Sequence, residues 1–126
     1  MDEAQMKKIL IVDDLPELRE LIRVTLEADN YQIFEAGSGE EAIEITSVKK
    51  PDLIILDIMM PGGINGLETC KLIKGNSLAK GTKVIMLTAK GQETDRQKGF
   101  EAGADDYFVK PFSPLELLKK IEEVLE

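Results

Sequence analysis

The sequence contains no histidine. That removes Ser–His and Cys–His nucleophile pairs and every zinc site built on imidazole. It has one cysteine, Cys70, so no disulfide can close within the chain, which suits a reducing cytoplasm. A lone cysteine in a helical pattern reads as a small packing residue. Positive charge is scarce: 16 Lys and Arg stand against 24 Asp and Glu, a formal charge of −8. Such a chain lacks the basic face that displaces counterions from nucleic acid, so direct nucleic-acid binding is not expected. No apolar run is long enough to cross a membrane, and membrane insertion is not expected either. The opening Met1-Asp2-Glu3-Ala4-Gln5 is acidic and polar, unlike a signal or transit peptide. A glycine-rich phosphate loop is also missing. What chemistry remains must run on carboxylates, hydroxyls and lysines.

What is present is an alternation of short apolar runs with longer amphipathic segments. Ile9-Leu10-Ile11-Val12, Leu53-Ile54-Ile55-Leu56 and Val84-Ile85-Met86-Leu87 are continuous, as suits parallel strands buried on both faces. Gln32 to Ala36 and Tyr107 to Val109 are less uniform and read as strands nearer the sheet edges. Between them lie five helical patterns. Leu18, Leu21, Ile22, Thr25 and Leu26 trace one buried face of the first. Ser38 with Glu41 forms a capping pattern opening a second, through about Val48. Gly66 to Lys74 is a short third and Gln92 to Ala102 a fourth. The fifth opens on Ser113, Pro114 and Glu116 and would bury Leu117, Leu118, Ile121 and Val124 or Leu125. Five strands alternating with five helices predict a single α/β domain: a flavodoxin-like three-layer sandwich around a parallel sheet of order 2-1-3-4-5.

Four of these strands end in a reactive residue: Asp13-Asp14, Asp57, Thr88 and Lys110. Ligands of open α/β sheets bind beyond the carboxyl ends of the strands, so these groups should converge. Three acids together repel one another unless a cation sits among them. Oxygen donors without His or Cys favour a hard ion, Mg²⁺ or a similar metal, that keeps open positions for phosphate oxygens. A metal, a lysine and a hydroxyl around a carboxylate form a cradle for a phosphoryl group, with Asp57 best placed as nucleophile on a central strand. Singly, each residue has an ordinary reading. Asp14 could cap the first helix, Asp57 could belong to a turn, Thr88 could simply end a strand, Lys110 could be a solvated lysine, and Tyr107 could pack on an edge strand. Jointly, those readings require all five to meet at one end of a sheet by chance.

The motifs Ile-Leu-Ile-Val-Asp13-Asp14, Leu-Asp57-Ile-Met-Met-Pro61, Met-Leu-Thr88-Ala89, Gly103-Ala104-Asp105-Asp106-Tyr107 and Val109-Lys110-Pro111-Phe112 occur in that order. With them the chain resembles the receiver domain of bacterial two-component response regulators, from Lys8 to Leu125. The resemblance implies a phosphorylation switch, not an enzyme acting on a substrate of its own. Asp57 would take a phosphoryl group from a phosphohistidine of a sensor histidine kinase or a histidine phosphotransfer protein. Asp14, Asp57 and the backbone carbonyl of Met59 would hold Mg²⁺, or Mn²⁺ in its place, with Asp13 acting through a metal-bound water. Lys110 would contact the phosphoryl group, and the Lys110–Pro111 bond would be cis. Thr88 and Tyr107 would move on phosphorylation and rearrange the face formed by the fourth helix, fifth strand and fifth helix, which would control a partner protein.

The segment Pro61-Gly62-Gly63-Ile64-Asn65-Gly66 departs from that pattern, being one residue longer. Met59 and Lys90 would flank the path of attacking water. Three other functions compete. An aspartyl-phosphate hydrolase would carry an acid where Met59 stands. A nucleotide- or flavin-binding domain would not place Asp13-Asp14 in its first loop, where they repel phosphate. A binding-only receiver would have no need of all five site residues. If residues 1–126 are complete, no output domain is attached and the protein acts alone in the cytoplasm. The exposed start of the first helix, near Leu15 and Leu18, is the expected kinase-docking surface.

Overall fold

The structure, a computed structural model, describes residues 6–27, 29–76, 79, 81–89 and 93–126. Five strands alternate with five helices: β1 (Lys8–Val12), α1 (Pro16–Glu27), β2 (Gln32–Ala36), α2 (Gly39–Lys49), β3 (Leu53–Asp57), α3 (Gly66–Lys74), β4 (Lys83–Ala89), α4 (Glu93–Glu101), β5 (Asp106–Lys110) and α5 (Pro114–Leu125). The strands form one parallel sheet of order β2-β1-β3-β4-β5, as predicted. The three continuous apolar runs occupy its centre because both of their faces must be covered. The two mixed runs lie at its edges, where one side of the backbone is unpaired.

Period-two alternation divides the central strands between two cores. Leu10, Val12, Ile54, Leu56, Val84 and Met86 face a layer that includes Ala42, Cys70 and Ile73. Ile9, Ile11, Leu53, Ile55, Ile85 and Leu87 face the other, with Ile22 and Leu26 of α1 and Leu117 and Ile121 of α5. The expected stripe on α1 is narrower than its pattern implied: Ile22 and Leu26 are fully buried, but Leu21 is 47% exposed. On α5, Leu118, Val124 and Leu125 are only partly buried beside Leu117 and Ile121. α4 ends at Glu101, one residue short of the predicted Ala102, and its expected first residue, Gln92, lies outside the described residues. Among the described residues, no helix is long and apolar enough to cross a membrane.

Local signals account for most helix starts. Ser38 accepts from the Glu41 N–H, while the Glu41 carboxylate turns back to the N–H of Gly37 at 2.9 Å, one residue further out than a reciprocal box requires. Asn65 and Glu68 make the full reciprocal box at α3. Ser113 caps α5, with Pro114 in its first turn.

Candidate functional site

The register of the sheet brings the reactive residues to one edge. Asp57 pairs with Leu87, Thr88 with Val109, and Ala89 with Lys110, so β3, β4 and β5 end together. β1 ends alongside, with Val12 opposite Leu56, and Asp13 and Asp14 follow it. Carboxylate oxygens of Asp13, Asp14 and Asp57 lie within 4.8 Å of one another. Lys110 Nζ stands 3.3 Å from Asp13 Oδ2 and 3.3 Å from Asp57 Oδ2, bridging two of the three. Asp13, Asp57 and Thr88 are buried, while Asp14 and Lys110 are partly open to solvent.

Neighbouring contacts hold these groups in place. The Asp13 carboxylate accepts the Leu15 N–H at 2.9 Å, and its carbonyl accepts Arg19 Nη1 at 2.6 Å. It is therefore Asp13 rather than Asp14 whose side chain takes a backbone N–H at the entry to α1. Arg19 is itself held by Glu35 at 3.2 Å. The Met59 N–H donates to Asp57 Oδ1 at 3.3 Å, so its backbone borders the pocket while its side chain is 67% exposed. Gly66 lies directly beneath: a Cβ there would collide with the Asp57 carbonyl, which accounts for glycine at the start of α3. The Lys110–Pro111 peptide is cis.

Three acids against one ammonium leave an excess of negative charge. Burial, and then the charge of Asp13, push the Asp57 carboxyl up to about 6, although Lys110 and the Met59 N–H pull the other way. A cluster of hard oxygen donors with that unrelieved repulsion fits a divalent cation such as Mg²⁺. Mg²⁺ and a proton would then compete for Asp57. Mg²⁺ affinity should be flat above the carboxyl's pKa of about 6 and weaken by up to about tenfold per pH unit below it. Calorimetric titrations at several pH values would measure this, and an affinity unchanged across that range would remove Asp57 from the ligand set.

Tyr107 is not part of the acidic cluster. Its ring meets Phe100 edge-on with centroids 5.9 Å apart, and the Arg96 guanidinium lies 4.5 Å over its face. Arg96 and Phe100 stand one helical turn apart on α4, a spacing visible in the sequence; that β5 would bring Tyr107 beneath them was not. Glu40, which contacts the loop after β3, also went unread. Lys90 lies outside the described residues.

The sequence profile of the response regulator receiver domain matches residues 9–122. This chain belongs to that family. The receiver domain is 50% identical over 125 residues to the transcriptional regulatory protein ResD of Bacillus subtilis, an alignment covering 99% of this chain and 50% of ResD. It is 46% identical to the phosphate regulon transcriptional regulatory protein PhoB of Pseudomonas aeruginosa, over 94% of this chain and 52% of PhoB. It thus spans about half the length of these curated relatives. Among solved structures, the chemotaxis response regulator CheY4 of Vibrio cholerae superposes with a TM-score of 0.89 at 36% identity, covering 96% of this chain and 100% of CheY4. Receiver domains are phosphorylation switches that histidine kinases phosphorylate, and they bind Mg²⁺ at an acidic pocket. The Asp13, Asp14 and Asp57 cluster fits such a pocket.

Proposed function

We propose that this receiver domain accepts a phosphoryl group on Asp57 and passes the change to the face formed by α4, β5 and α5. The observation carrying this reading is the position of Lys110 Nζ, 3.3 Å from both Asp13 and Asp57 at the mouth of the acidic cluster. In the transfer, an ionised Asp57 oxygen forms a bond to phosphorus as the phosphorus–nitrogen bond of a phosphohistidine breaks, and the imidazole leaves. Lys110 neutralises phosphoryl oxygens, and the Thr88 hydroxyl donates to one of them. Asp14, Asp57 and the Met59 carbonyl would hold the metal, and Asp13 would act beside them through a water. When bound, Mg²⁺ supplies positive charge to phosphoryl oxygens that would otherwise face three carboxylates. Hydrolysis of the same aspartyl phosphate, catalysed within the domain, resets the switch. Tyr107, packed against Phe100 and Arg96 of α4, is the side chain on β5 best placed to report the change to that helix.

Intact masses taken after incubation with a small phosphodonor and Mg²⁺ test this reading. A gain of one phosphoryl group, lost in EDTA, is expected. No gain, with rapid quenching to exclude fast hydrolysis and no binding of beryllofluoride, would leave a binding-only domain.

We infer that the histidine-bearing partner docks at the start of α1. Leu15 is 51% exposed there. Leu18 and Leu21 line a groove of about 450 Å³ with Ala89, Lys110, Pro111 and Phe112, which puts apolar contact area next to the phosphoryl site. Leu15→Ala should slow transfer from the cognate kinase about tenfold, as for one interface side chain, while sparing small phosphodonors. Timed transfer from both donors checks this; equal slowing would count against docking.

Two readings of the whole protein remain. In one, the domain stands alone in the cytoplasm and controls a partner protein. The relatives twice its length favour the other, in which it is the receiver part of a transcriptional regulator and DNA is bound by a segment beyond this chain. An antibody to this domain would separate them by the size of the protein detected in its source cell.

A further inference from the structure

The loop joining β3 to α3 is closed at its base, where the Gly66 N–H donates to the Ile58 carbonyl at 3.0 Å. Its far limb is locked to α3 by the reciprocal Asn65–Glu68 cap and by Thr69 Oγ1 on the Asn65 carbonyl at 2.7 Å. The middle contains Pro61, Gly62 and Gly63, all exposed, with Gly62 at φ 88°. Two adjacent glycines in an exposed loop leave the backbone many conformations to choose among.

A side chain from α2 reaches this segment. Glu40, in the first turn of α2, accepts the Ile64 N–H on Oε2 at 3.3 Å. Its carboxylate also lies flat against Gly63, where a Cβ would come within 2.6 Å of Oε2 and 2.9 Å of Oε1. The neighbouring Glu41 is engaged elsewhere, on Gly37. The Ile64 side chain also packs onto the α2 backbone at Gly39, where a Cβ would lie 2.7 Å from Ile64 Cγ1. The near limb of the loop begins at Met59, whose N–H holds Asp57.

We propose that Glu40 is a positioning residue that takes up the slack of the lengthened loop and so keeps the Met59 backbone at the acidic pocket. This rests on the reading of that pocket as a metal site. The tether crosses from one βα unit to the next, so the start of α2 helps set the shape of a pocket to which it contributes no ligand.

The test compares wild type, Glu40→Ala and Glu40→Gln, and then Glu40 with Glu40→Ala in a chain lacking Gly63. Amide hydrogen exchange at Met59 and Ile64 is read by NMR in metal-free protein, followed by Mg²⁺ titration. Glu40→Ala should speed exchange at both amides and weaken Mg²⁺ binding about three- to tenfold, the range of one exposed hydrogen bond. Glu40→Gln keeps an acceptor oxygen and should retain most of the affinity. In the shortened loop, which has no slack to remove, residue 40 should no longer matter. Faster exchange at Ile64 alone with unchanged Mg²⁺ affinity would overturn the proposal, as would equal loss in both single variants or an undiminished effect in the shortened loop. A wild type that binds no Mg²⁺ would defeat the metal-site reading instead, and the exchange rates at Met59 would still decide whether Glu40 holds the loop.

Discussion

Asp57→Asn is expected to abolish phosphoryl uptake and at the same time to stabilise the metal-free fold. The first effect follows from the loss of the attacking carboxylate oxygen. The second follows from the electrostatics of the pocket. The Asp57 carboxyl is pushed up to about 6 by burial and by Asp13, against an ordinary value of 3.8. Between those values the folded protein holds a proton that the unfolded chain has released. Stability therefore falls as pH rises through this window, and above it a constant penalty remains. With the site partly open to water, that penalty is about 1–2 kcal/mol. Asparagine carries no charge and escapes it. In EDTA at about pH 8 the variant should melt roughly 5 °C above wild type, and near pH 4 the two should converge. Mg²⁺ should raise the melting temperature of wild type far more than that of the variant. Melting curves across pH, with and without Mg²⁺, would read all of this. A variant less stable than wild type at high pH would show that Asp57 is a favourable structural charge and not a strained one.

Lys110→Ala is expected to separate phosphoryl uptake from metal binding. Lys110 is the ammonium that touches both Asp13 and Asp57, so its removal takes away a positive charge aimed at the phosphoryl oxygens. Loss of one such group from a site of this kind lowers a rate by roughly 10²–10³. A divalent cation, however, is repelled by Lys110. Above the Asp57 titration, which moves further up without Lys110, Mg²⁺ should bind several-fold more tightly to the variant. Uptake from a small phosphodonor and calorimetric Mg²⁺ titration, run on the same preparation, would show whether the two move in opposite directions. A parallel loss of both would mean that Lys110 mainly holds the pocket together.

Much of this architecture was legible beforehand because its determinants are local. Val84 to Leu87 is apolar without a break, as suits a strand covered on both faces, and Ser113-Pro114 is a local helix-start signal. The acidic cluster was legible for a related reason: in a parallel sheet every strand ends on the same side, so Asp57, Thr88 and Lys110 had to share one edge once their strands were recognised. Leu21 was misread because periodicity identifies a helix face but not how wide a strip its neighbours cover. Arg96 over Tyr107 and Glu40 on Gly63 were missed because each joins elements whose relative placement is set by sheet register and helix packing.

The sequence by itself thus determined the order of the elements, which strands are central and which residues stand at their carboxyl ends. Those properties follow from apolar periodicity and chain direction, which belong to short stretches of chain. Only the tertiary structure decided that Lys110 sits between Asp13 and Asp57, that Asp57 is buried enough to resist ionisation, and that Glu40 reaches the loop beside it. These depend on distances between segments far apart in sequence, and such distances exist only once the two cores have packed against the sheet.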